Sequence, residues 1–248
     1  MTPRNTQNYG WRPDLPDHRD HVYRPMAMPL PSKTDLRPHC SPVEDQGLLG
    51  SCTGNAIVGV MELLHRTIMH RTLNLSRLFA YYNIRALEGT INSDAGGEIR
   101  DAVKAAAQVG ICVERDYPYN IADFTKAPSK AAVANAGKHK IASYCRVTSL
   151  NDIKASLAQG FPVIFGFTVY EGFESEAVAT TGVLNMPGPT ERVVGGHAVV
   201  IVGHDDASQR VTVRNSWGAT WGDKGYFTMP YAYASDPSLC DDFWTVRK

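Results

Sequence analysis

The apolar pattern of this chain changes period part-way along, and that change limits the folds open to it. From residue 52 to about 69, Ile57, Val60, Met61, Leu64 and Ile68 recur at steps of three and four, which predicts a helix with one apolar face. Ser51 stands where an N-cap is expected. Further helices are predicted over 76–87, over 98–109 with Gly110 as the stop, and over 150–159 ended by Gly160. Beyond residue 160 the apolar runs are short and β-branched, at 163–170, 198–202, 211–213 and 226–229, with Gly, Pro and Asp between them. Helices followed by strands indicate an α+β fold rather than alternating βαβ units. The expected division is a Pro-rich arm over 1–34, a mainly helical lobe over 35–147 and a mainly β lobe over 148–248, with a cleft between the lobes as the place for a site.

The arm holds six of the fifteen prolines, so it cannot be a continuous helix or a central strand. Tyr9, Trp11, Leu15 and Tyr23 give it apolar side chains with which to dock. Across all 248 residues, 25 Lys and Arg balance 25 Asp and Glu, which argues against a global electrostatic grip on nucleic acid or an anionic membrane. No Gly-rich phosphate loop and no basic run is present. Apolar runs such as 161–165 and 198–202 are far too short to cross a bilayer. The first residues lack the apolar core of a secretory signal, so the expectation is a cytoplasmic protein as synthesised, with secretion by another route left open.

Five cysteines, Cys40, Cys52, Cys112, Cys145 and Cys240, are spread over the chain without a C-x-x-C pair. A structural zinc site, a thioredoxin-type pair and a dense disulfide scaffold are all disfavoured. His204-Asp205-Asp206 is not a cluster at ligand spacing, so no metal and no cofactor is expected.

Cys52 differs from the other cysteines because it begins a predicted helix, where unsatisfied N–H groups and the positive end of the dipole favour thiolate. A thiolate nucleophile needs a cation beside it and a proton carrier for the leaving group, and histidine can be both near neutral pH. His197 opens an apolar strand within Gly195-Gly196-His197-Ala198-Val199-Val200. Asn215, in Val213-Arg214-Asn215-Ser216-Trp217-Gly218, lies at another strand end, and its amide oxygen could orient the imidazole. Each of the three alone has an ordinary packing or turn role; their combination and order point to nucleophilic catalysis.

These segments resemble those of the papain family of cysteine peptidases. Pro42-Val43-Glu44-Asp45-Gln46-Gly47-Leu48-Leu49-Gly50-Ser51-Cys52 is similar to that family's nucleophile segment, Gly196-His197-Ala198-Val199 to its histidine strand, and Asn215-Ser216-Trp217-Gly218 through Trp221-Gly222-Asp223-Lys224-Gly225-Tyr226 to its asparagine segment. Gly96-Gly97, then Gly110-Ile111 and Tyr117-Pro118-Tyr119, extend the likeness from about Thr34 to the C-terminus. The resemblance implies a two-lobed fold with a helical lobe, an antiparallel β-barrel-like lobe and the active-site cleft between them. Leu49 and Asp94 stand where the family usually has a bridged pair of cysteines, and Thr53 stands where an aromatic usually follows the nucleophile. Loss of both bridge partners together fits folding in a reducing compartment.

The resemblance implies hydrolysis of peptide bonds through an acyl-enzyme on Cys52, with His197 as acid and base, Asn215 orienting it and Trp217 shielding that contact. The side chain of Gln46 and the backbone N–H of Cys52 are the implied oxyanion donors. Gly96 and Gly97 would pair with substrate backbone, and Ile99, Gly166, Gly195 and Ala198 would wall the pocket for the side chain two residues before the cut, where a bulky hydrophobic or aromatic residue is expected. Gly50, Gly196 and Trp217 complete the implied substrate-facing set. Peptide or protein substrates are the expected partners of a monomer, and the arm is expected to lie across the cleft and regulate it. Two alternatives use the same residues differently: acyl transfer to an amine, and a non-catalytic peptide-binding relative.

Overall fold

The computed structural model describes residues 9–25 and 28–248; the beginning of the arm, with Pro3, lies outside the described residues. Three helices form one lobe: α1 (Cys52–Ile68), α2 (Arg77–Leu87) and α3 (Ile99–Gln108), each packed against the next and α1 also against α3. α1 is buried around its whole circumference from Cys52 to His65, not on one face, because the sheet closes over its other side. Its buried Glu62 is satisfied by accepting the N–H of Leu75 at 2.8 Å. Gly54 lets the first two helices approach closely: a Cβ there would lie 2.9 Å from the carbonyl oxygen of Arg77.

Ser76 caps α2 by accepting the N–H of Phe79 at 3.0 Å. Ser51 occupies the N-cap position of α1 without capping it. Its hydroxyl instead meets Tyr119 Oη at 2.5 Å and accepts from the Asn55 amide at 3.1 Å, so the expected cap is replaced by a tie to the Tyr119 loop.

The second lobe is an antiparallel sheet in the order β2 (Ser143–Arg146), β7 (Cys240–Arg247), β3 (Val163–Tyr170), β4 (Val193–Asp205), β5 (Arg210–Arg214), β6 (Tyr226–Pro230). A short β1 (Lys33–Asp35) pairs with the far end of β4. Two of these strands thus come from residues before 148 and join the sheet of the other lobe. The end strands β2 and β6 are not paired with each other, so the sheet is open rather than closed into a barrel. Helices α4 (Lys130–Ala136), α5 (Leu150–Ala158), α6 (Glu176–Thr181) and α7 (Tyr231–Ala234) complete the chain, with α5 against β1, β3 and β4.

An aromatic cluster forms the part of the core beneath the site. Phe173 lies 5.1 Å, ring centre to ring centre, from both Trp217 and Phe227, and 5.2 Å from Phe167. In the β3–β4 register Phe167 stands opposite His197, so the same cluster fixes the position of that histidine.

The arm is docked. Trp11 and Tyr23 are buried, whereas Leu15 projects into solvent and contributes no anchor. His21 and Tyr23 pair with the backbone of Arg146 in β2, through Arg146 N–H to His21 O at 2.7 Å and Tyr23 N–H to Arg146 O at 2.8 Å.

Candidate active site

Three segments meet where the lobes join. The nucleophile loop is tied to the asparagine segment by Gln46 N–H to Ser216 O at 2.9 Å, Gly218 N–H to Glu44 O at 3.1 Å and Ser216 Oγ–H to Gln46 Oε1 at 2.6 Å. Cys52 is the first residue of α1, fully buried, and the backbone N–H groups of Ala198 and Gly10 act to favour its ionised form. Ala198 follows His197 in β4, so the thiol lies near the strand that carries that histidine. His197 Nε2 meets Asn215 Oδ1 at 2.8 Å, and its ring stacks on Trp217 at 5.1 Å with 26° between the planes. The Asn215 contact engages Nε2.

Gln46 is almost wholly buried; its amide donates to Leu49 O at 2.9 Å while its oxygen accepts from Ser216. The turn carrying Leu49 and Gly50 is pinned by Asp94, whose two carboxylate oxygens accept the Gly50 N–H at 3.1 and 3.0 Å. Tyr81 Oη–H donates to the same carboxylate at 2.5 Å and accepts the Gly96 N–H at 3.1 Å. Asp94 therefore occupies the place of the missing bridge and makes a polar tie where that bridge would run. No pairing exists among the five cysteines, all of which are free thiols.

The arm fills the cleft at the remaining sequence-predicted positions. Gly10 passes so near that a Cβ on it would overlap the carbonyl of Gly50, and one on Gly96 would overlap the carbonyl of Gly10. Gly97 N–H donates to Gly10 O at 2.7 Å, Arg12 N–H to Gly97 O at 3.3 Å and Trp11 N–H to Gly196 O at 3.0 Å. The Trp11 indole lies flush on Gly166, where any Cβ would overlap it, and 2.8 Å from the Cβ position of Gly196. Tyr9 stands 2.6 Å from the Cβ position of Gly195, edge-on to His197 at 5.8 Å. Ile99, at the head of α3, and Ala198, in β4, are both buried.

Burial reverses one expectation. The helix end and the N–H groups of Ala198, Gly10 and Thr53 pull the Cys52 thiol towards ionisation, but desolvation is the larger effect and pushes it up to about 11. With the arm in place the sulfur is held as thiol at neutral pH.

Several residues at the site carried no local signal. Asp242 in β7 accepts Trp11 Nε1–H at 3.1 Å and the Asp14 N–H at 2.8 Å. Asp14, Asp20, Arg100, Arg146 and Trp244 form a continuous polar group behind it, joined by hydrogen bonds that span 80 to 230 positions of the chain. At the near end, Arg12 pairs with Glu88 and Tyr9 Oη with Glu174. Only the folded chain brings these residues together.

Residues 30–240 match the family described as papain family cysteine protease. An uncharacterized peptidase C1-like protein of Acanthamoeba polyphaga mimivirus is 41% identical over 214 residues, 82% of this chain and 69% of that protein. Thiol protease aleurain of Arabidopsis thaliana is 30% identical over 212 residues, 81% of this chain but only 56% of the plant protein, so the chain spans little more than half of that relative. Xylellain, a cysteine protease from Xylella fastidiosa, superposes with a TM-score of 0.92 at 37% identity, over 100% of this chain and 98% of that one. Procathepsin L 3 of Tenebrio molitor, at 20% identity and a TM-score of 0.77 over 98% of this chain and 77% of its own, shares the fold. The fold is the papain-like α+β arrangement, and the chain belongs to the papain family of cysteine proteases.

Proposed function

We propose that the chain is a latent peptidase whose Cys52, His197 and Asn215 hydrolyse peptide bonds through an acyl-enzyme, and whose own arm holds the site closed. Cys52 attacks the scissile carbonyl as a thiolate paired with protonated His197. The imidazolium then gives its proton to the leaving amine, and water releases the acyl group. Asn215 keeps the imidazole turned towards the sulfur, and Trp217 excludes water from their hydrogen bond. Gln46 and the Cys52 N–H stabilise the oxyanion, each such donor lowering the barrier by about 3 kcal/mol.

The observation that carries the reading is the path of the arm. The Gly10 carbonyl is turned to the Gly97 N–H, which it accepts at 2.7 Å, while the Gly10 N–H favours the ionised form of Cys52. Trp11, seated on Gly166 and Gly196, follows Gly10 in sequence, whereas in a substrate the residue in that pocket precedes the cut. The arm thus runs opposite to a productive peptide and offers no bond to break. A seated indole also supports a preference for a bulky aromatic or hydrophobic residue in that pocket. The five free thiols support work in a reducing compartment.

The test is hydrolysis of dipeptidyl fluorogenic substrates by the wild type, by Gly10→Leu and by Gly10→Leu with Cys52→Ala. A leucine cannot pass over Gly50, so the variant is expected to turn over substrate at least tenfold faster than wild type, and the Cys52→Ala chain not at all. Equal rates in the first two would remove the arm from regulation, and turnover without Cys52 would remove the nucleophile.

A further inference from the structure

The polar group behind Trp11 is built from two sources. Asp14 and Asp20 belong to the arm; Arg100, Arg146, Asp242 and Trp244 belong to the body. Asp20 is gripped by Arg100 through Nε at 3.1 Å and Nη2 at 2.7 Å, and by Arg146 Nε at 3.1 Å. Asp14 accepts Arg146 Nη2 at 2.9 Å, Trp244 Nε1 at 2.9 Å and the Arg100 N–H at 3.0 Å. Arg146 Nη1 also meets Asp242 at 3.1 Å. The Arg100 side chain is 5% exposed and that of Arg146 20%, so neither guanidinium is a solvated surface charge.

In the closed state these two cations face Asp14 and Asp20 of the arm and Asp241 and Asp242 of the body, with Asp241 3.7 Å from Arg146. Once the arm leaves, Arg146 keeps Asp241 and Asp242, while Arg100 loses the carboxylate of Asp20 that its side chain holds through two N–H groups. Several half-buried guanidinium N–H donors thus lose their acceptors together. A new carboxylate restores those forked hydrogen bonds.

We propose that Arg100 and Arg146 form a carboxylate-binding subsite for acidic peptides, vacated when the arm leaves and placed just beyond the pocket that Trp11 fills. It rests on the reading that the arm is displaceable, and it extends that reading to the class of peptide admitted: one with an aromatic residue in the pocket and aspartate or glutamate on the side away from Cys52. The arm is itself such a peptide, laid in the reverse direction.

The test uses the full chain carrying Gly10→Leu, to expel the arm, and Cys52→Ala, so that no probe is cleaved. Two labelled synthetic peptides are titrated at pH 8 and low salt, with binding followed by fluorescence anisotropy. One has the sequence of residues 9–23; the other differs from it only by asparagine at the position of Asp20. The acidic peptide is expected to bind at least tenfold tighter, with the gap narrowing in 0.5 M NaCl and closing when Arg100→Gln or Arg146→Gln is added to the chain. Equal affinity for the two peptides, tighter binding of the asparagine form, or binding of neither overturns the subsite. Failure of the arm-displacement reading is seen separately, as a Trp11 fluorescence spectrum in the Gly10→Leu chain identical to that of wild type.

Discussion

The amide N–H of Gly97 donates to the carbonyl oxygen of Gly10 at 2.7 Å, and the chain between Gly10 and Arg12 returns to Gly97 O at 3.3 Å. The arm is therefore held by backbone as a strand would be, and its side chains decide how tightly.

Trp11 adds a buried aromatic contact to that hold, its ring seated on Gly166 and Gly196. Burying an aromatic side chain of this size contributes about 2–3 kcal/mol, so Trp11→Ala should raise the open fraction of the enzyme by roughly 30-fold or more. The expected outcome is a matching rise in kcat/KM on short fluorogenic peptides, with the thermal midpoint of the body little changed. A loss of activity with unchanged stability would show that Trp11 serves the open enzyme instead.

Asp14 makes the hold pH-dependent. Burial first, then repulsion by Asp242, push its carboxyl from 3.8 up to about 7, while hydrogen bonds from Arg100 and Trp244 and the charge of Arg100 oppose the rise. Arg146 faces the same carboxyl and shares its guanidinium with Asp20. Because the docked state holds this proton more tightly than the free arm does, docking is strongest below about pH 4 and weakens as pH rises through 7. Fluorine NMR of 5-fluorotryptophan at Trp11 should show the docked population falling from pH 5 to pH 8, and Asp14→Asn should flatten that slope. A docked fraction that falls on acidification would contradict the sign.

Asp94 does by hydrogen bonds what a bridge would do by covalency. Asp94→Ala leaves the Gly50 N–H and the Tyr81 hydroxyl without their acceptor, at a cost of about 1–3 kcal/mol. In the Gly10→Leu background, kcat should fall about tenfold with a smaller change in KM, because the turn holds Gln46 through Leu49. Asp94→Asn keeps an accepting oxygen and should recover most of the loss. Equal losses in both variants, or an effect confined to KM, would argue against a positioning role.

Much of this was legible beforehand because it is local. The three-and-four spacing from 52 to about 69, the Gly110 stop after 98–109 and the β-branched runs at 163–170 and 211–213 each determine their own element. What was not legible depends on distant partners. β7 reads as polar, with Asp241 and Asp242 at its start, yet Asp242 is fully buried because Arg146 and the arm meet it. α4 has no apolar stripe, only alanines that pack, and β2 is a short strand defined by pairing with β7. At the site, Cys52 stands at the head of α1 and His197 meets Asn215, each an arrangement its own segment suggested. The state of the thiol did not follow, because a helix end favours the anion only until another segment excludes the water.

The most direct measurement of a nucleophile masked by its own arm is the rate at which iodoacetamide labels Cys52 at pH 7.5, read by peptide mass spectrometry in the wild type and in Gly10→Leu. The masked-site account predicts labelling of Cys52 at least tenfold faster in Gly10→Leu, with Cys40, Cys112 and Cys240 slow in both proteins. Equal and rapid labelling of Cys52 in the two chains would contradict it.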